Sequence, residues 1–98
     1  MTTYKLEKSN RKNKKYKISS DEPKRTIHFG AKGYEDYTIH RDKQRKKMYI
    51  KRHKKREDWT DIDTAGFWAR YILWNKLSLE ESVNDVQKKF DINIEMNI

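Results

Sequence analysis

The sixteen residues from Arg41 to Arg56, RDKQRKKMYIKRHKKR, carry ten lysines and arginines and a single acid, Asp42. At about 100° per residue, with Asp42 at 0°, Arg41, Arg45, Arg52 and Arg56 fall between roughly 260° and 320° of a helix; Lys43, Lys47, Lys51, Lys54 and Lys55 fall between roughly 100° and 220°. A flat guanidinium suits fixed contacts with phosphate or carboxylate, and a hydrated ammonium suits diffuse attraction to a polyanion. A solvated helix face usually mixes charges to gain i,i+4 pairs, so this self-repelling one makes sense when a polyanion compensates it. The expected phosphate contacts are Lys43, Lys46, Lys47, Lys51, Lys54 and Lys55. Arg45, Arg52 and Arg56 are more ordered anchors, with Arg11, Lys12 and Lys14 in support. The arginines could instead bridge to Glu57, Asp58, Asp61 or Asp63.

Other residues offer less chemistry. His40 and His53 lie three turns apart on the basic segment, about 16 Å along a helix axis, too far to share a metal with Asp42. His53 beside Tyr49 reads as a packed histidine. No P-loop, H-E-x-x-H, G-x-S-x-G or paired-carboxylate motif occurs, and no catalytic residue, metal or cofactor is expected. Gly30-Ala31-Lys32-Gly33 resembles the backbone-clamping tetrapeptide of KH domains and equally reads as a plain turn. Tyr34, Tyr37 and Tyr49 lie among the cations and could stack on bases, whereas Trp59, Trp68 and Trp74 read as core.

These residues need a small scaffold. The 98-residue chain has a net charge of +9, with 20 Lys/Arg against 6 Asp/Glu in residues 1–56 and 4 against 9 in residues 57–98. Such asymmetry suggests a polyanion-facing half and a half that packs or docks. The absence of cysteine excludes disulfides and thiolate metal sites and suggests an intracellular setting or a place inside a particle. No stretch reaches the length of a membrane span.

Alternation predicts strands over residues 4–8 and 15–19, joined by a polar turn, and a third strand at 26–29. Residues 30–41 read as an ordered loop pinned by Tyr34 and Tyr37. A basic helix is predicted from about Asp42, its cap, to about Lys55. A second follows Asp63-Thr64 to about Asn75, and a third opens on the Ser78–Glu81 capping box with Leu79, Val83, Val86 and Phe90 as its stripe. The period-two tail Ile92–Ile98 predicts a short strand that extends the sheet or pairs with another chain to form an oligomer. The expected fold is one α+β domain over residues 1–98: a three-stranded antiparallel sheet and ordered loop in 1–41, then three helices and a strand-like tail in 42–98.

The blocks HFGAKGYEDYTIH (28–40), YIKRHKKREDW (49–59) and TAGFWARYILWNK (64–76) are similar to small, basic, uncharacterised proteins encoded by large nucleocytoplasmic DNA viruses of algae and protists, over roughly residues 26–83. The resemblance implies a viral origin and a place in the virion or viral factory; it carries over no catalytic residue. The leading reading is non-sequence-specific nucleic-acid binding, DNA ahead of RNA, in genome packaging or nucleoid organisation. Its rival is a virion structural protein whose basic half grips acidic protein surfaces. A His-dependent nuclease using His40 or His53 is a weaker alternative.

Overall fold

A computed structural model describes residues 2–98. The chain folds in the order β1 (Thr3–Lys8), β2 (Lys14–Asp21), β3 (Lys24–Ala31), α1 (Tyr37–His40), α2 (Lys43–His53), α3 (Ala65–Trp68, continuing as a π-helical turn over Ala69–Leu73), α4 (Leu79–Phe90) and β4 (Asn93–Asn97). The fold is α+β. Its sheet has four strands in the order β3-β2-β1-β4.

The antiparallel β1-β2-β3 unit matches the alternation in the sequence. Leu6 pairs with Ile18, Ile18 with Ile27 and Tyr16 with Phe29, so these apolar side chains share one face. On the other face lie Lys5, Lys17, His28 and Glu95, which share cross-strand pairings. Trp68, Ile72, Leu73, Val83 and Val86 cover the apolar face and form one core cluster with Leu6, Ile18, Phe29 and Ile94.

The tail corrects the expected three-stranded antiparallel sheet. It enters as a fourth strand, parallel to β1, with Tyr4 opposite Ile94 and Leu6 opposite Met96. The helices carry the chain back to the start of β1, where Asn93 N–H donates to Thr2 O (3.1 Å) and Ile94 N–H to Gln87 Oε1 (2.9 Å). Ile94 is buried and Met96 and Ile98 are exposed, so the apolar alternation runs past the edge of the core.

Helix starts follow capping chemistry. Asp42 accepts from Gln44 N and Arg45 N, Thr64 from Phe67 N, and Ser78 from Glu81 N. The second helix differs from the continuous one expected up to Asn75. After one α-turn its bonding slips, Trp74 N–H reaching Ala69 O (3.1 Å), and the π turn rotates the following face so that Ile72 and Leu73 are buried as well as Phe67 and Trp68. The expected loop over residues 30–41 is also more regular. β3 continues to Ala31, α1 forms at Tyr37–His40, and of the two tyrosines only Tyr37 is buried. Gly33, with φ 92°, turns the chain between them.

Asp91 closes α4 in the left-handed region, φ 53°, where a side chain is strained and a carboxylate opposes the helix dipole. Asp91→Gly is therefore expected to raise stability by about 0.5–1 kcal/mol, read as a higher urea midpoint. An unchanged midpoint would contradict it.

Candidate nucleic-acid interface and adjoining cleft

Tyr49 anchors α2 to the body. Its ring stacks on Trp74 at 4.3 Å with 2° between planes and on His53 at 4.2 Å. The phenol is buried, which raises its pKa; Glu57 raises it further and Arg70 opposes. A raised folded-state value leaves stability intact below about pH 10 and erodes it above, where unfolded chains ionise first. Tyr49→Phe should flatten that alkaline decline in urea midpoints. It cannot abolish it, since burial also raises Tyr4 and Tyr16. An unaltered decline would contradict the assignment.

With this seam fixed, Lys43, Lys47, Lys51, Lys54 and Lys55 are all exposed, and none has a carboxylate at salt-bridge distance among the described residues. Lys54 and Lys55 lie just beyond the last α-helical residue, His53, as does Arg56.

Lys46 departs from the expected set. Its Nζ donates to Asn75 O (2.6 Å) and sits 4.9 Å from the centre of the Tyr37 ring. Burial lowers its pKa, with Arg70 and Lys76 pushing the same way. It fastens α2 to the segment that follows the π turn, so it is more tightly held than the other lysines of the helix.

The arginines also behave differently from the bridges considered above. Arg45 pairs with Glu35 (3.2 Å), and it is Arg25 that approaches Asp63 (3.8 Å). Arg52 and Arg56 are exposed without an acidic partner among the described residues. At the hairpin tip Arg11 and Lys12 are exposed and Lys14 is half-buried. His28 lies close by, its Nδ1 2.7 Å from Ser9 Oγ, which itself accepts from Arg11 N. Burial and the charges of Arg11, Lys17 and Lys14 hold the His28 pKa below its ordinary value.

Beside the arginines opens a cleft of about 660 Å³ between α2, the end of β3 and the start of α3. Gln44, Arg45, Met48, Tyr49 and Arg52 contribute from α2; Tyr34 and Trp74 also line it. At one wall Glu57 accepts from Trp59 Nε1 (2.9 Å) and lies 3.4 Å from His53 Nδ1. A Cβ on Gly66 would come within 2.8 Å of that carboxyl group, so glycine makes room for it. Another wall holds Lys15, whose Nζ is 2.6 Å from the buried Asp36. Gly30, with φ 81°, permits this crossing, because a Cβ there would meet Leu73 Cδ1 at 2.8 Å and Lys15 Cβ at 3.2 Å. Gly30 thus lies within β3, one residue before its end, and Gly33 turns the chain after it.

Sequence reasoning missed Lys15, Gly66 and the Glu57 position. Lys15 lies in a run of similar lysines and carries no distinguishing signal. Gly66, near the start of a helix where alanine is better, offers one.

His40 Nδ1 accepts from Asp42 N–H (2.9 Å), which leaves its proton on Nε2, near Trp74. Trp68 is fully buried as expected, and Trp74, half-buried, packs against the core and stacks on Tyr49; Trp59 is half-buried and bonded to Glu57 at the cleft wall.

These features define a small α+β domain with a cationic helix fastened by aromatic stacking, one face open to solvent and one bordering a cleft. A model of a family of unknown function, DUF5754, matches residues 4–53, and the chain belongs to that family. The match runs from β1 through α2, taking in the hairpin and the basic helix and leaving out the Thr64–Lys76 block and the tail. No curated protein and no solved structure matches the chain.

Proposed function

We propose that the protein binds nucleic acid without sequence specificity, through the lysine face of α2 and the adjoining Arg52, Lys54, Lys55 and Arg56, with Arg11 and Lys12 as further contacts. The carrying observation is the row Lys43, Lys47, Lys51 and Lys55: exposed, without acidic partners among the described residues, and spaced at i,i+4. DNA is favoured over RNA because the B-form major groove admits a helix and the A-form groove does not. The viral origin that the resemblance of the 28–40, 49–59 and 64–76 blocks implies would make this a role in packaging or organising a viral genome, in the virion or the viral factory.

Anisotropy of a labelled duplex, titrated from about 50 to 300 mM salt, tests the reading. Affinity should fall with a log–log slope of about −3 to −5, since each neutralised phosphate contributes about −0.9. Absence of binding at the lowest salt overturns it.

The outer edge of β4 favours a second reading, a virion structural protein, because β4 ends the sheet and exposes Met96 and Ile98. Met96→Lys would block pairing at this edge. Under that reading it dissolves assemblies and spares DNA binding.

A further inference from the structure

The cleft beside α2 remains outside the lysine row, yet it is fully built. Tyr34 is 74% exposed, follows the open turn at Gly33, and has no aromatic neighbour stacked on it among the described residues. A ring this exposed keeps a face free to stack on a flat partner. Met48, Leu73 and Trp74 give the cleft an apolar part, and its volume of about 660 Å³ lies within the usual range for small-ligand sites. Arg52 borders it without an acidic partner, and Arg45 borders it in an exposed pair with Glu35 that a phosphate can replace at little cost.

We propose that this cleft takes an unpaired base of a single-stranded segment, stacked on Tyr34, with flanking phosphates at Arg45 and Arg52. The inference rests on the nucleic-acid reading above and adds a site to it. Two of the three acids lining the cleft are held within the protein, Asp36 by Lys15 and Thr38 and Glu57 by Trp59 and His53; the third, Glu35, is exposed and free to turn to solvent when a phosphate takes Arg45. They are poor readers of base edges, so the site recognises a ring face and a backbone and tolerates any base.

The test uses the full chain with three labelled probes: a twelve-nucleotide oligothymidylate, an abasic strand of equal length, and a duplex. The base-bearing strand should bind about tenfold more tightly than the abasic one, and Tyr34→Ala should bring the two to one affinity. Arg52→Gln should weaken both strands alike. Equal affinities in the unaltered protein, or a preference that survives Tyr34→Ala, overturns the inference. Thymidine monophosphate competing as strongly per base as the strand overturns the single-strand assignment in favour of a free nucleotide. Loss of all three probes at low salt sinks the nucleic-acid reading itself.

Discussion

Replacing Lys43, Lys47, Lys51, Lys54 and Lys55 together by glutamine is expected to weaken duplex binding about a thousandfold near 0.1 M salt while making the fold slightly more stable. Each lysine at a phosphate releases about 0.9 of a counterion, which near 0.1 M is worth about a factor of ten, and a duplex can meet three or four of the five at once. The salt slope should therefore become less negative by about 3. Stability moves the other way because 43–47 and 47–51 are like-charged i,i+4 neighbours within α2, each costing about 0.2–0.5 kcal/mol. Thermal unfolding at low salt would show the rise, and salt should diminish it. This opposition separates lost contacts from lost folding. Binding unchanged by all five substitutions would leave the lysine face without the role assigned to it.

Lys15→Met is expected to cost about 3–5 kcal/mol, a large part of the stability of a domain this small. Its Nζ lies 2.6 Å from Asp36 Oδ2, with side-chain exposures of 14% and 3%. Asp36 also caps α1, accepting from Thr38 N (2.9 Å). Losing the ammonium strands a buried carboxylate at the point where the chain leaves the sheet for α1 and α2. Adding Asp36→Asn, which removes the charge and keeps a capping oxygen, should recover more than half of the loss. Urea unfolding of the two single variants and the double supplies the cycle. A loss below about 1 kcal/mol for Lys15→Met, or additive effects, would show that the pair is not a buried fastening.

Local chemistry made much of the fold legible. Asp42, Thr64 and Ser78 cap their helices because a short side-chain oxygen satisfies amides that no preceding turn can reach. The stripe of Leu79, Val83, Val86 and Phe90 and the alternating strands show their periods directly. The π turn was not legible, since an apolar arc as broad as Phe67–Trp74 suits more than one bonding pattern. The tail revealed its conformation but not its neighbour: alternation fixes which side chains share a face, and says nothing about which edge, or which direction, the strand will join.

The candidate site divides in the same way. Charge type and angular spacing in residues 41–56 separated a lysine face from an arginine face, because both are properties of one helix. Which cations stay free depends on residues distant in sequence. Asn75 O ties down Lys46, Asp36 pairs with Lys15, and Trp74 with Tyr49 sets which side of α2 meets the body. Sequence by itself determined the polyelectrolyte character, the caps and the periodic faces, all governed by interactions within a few residues. Tertiary structure alone decided the cleft, the seam and the remaining open charges, because burial and pairing are set by what the rest of the chain brings alongside.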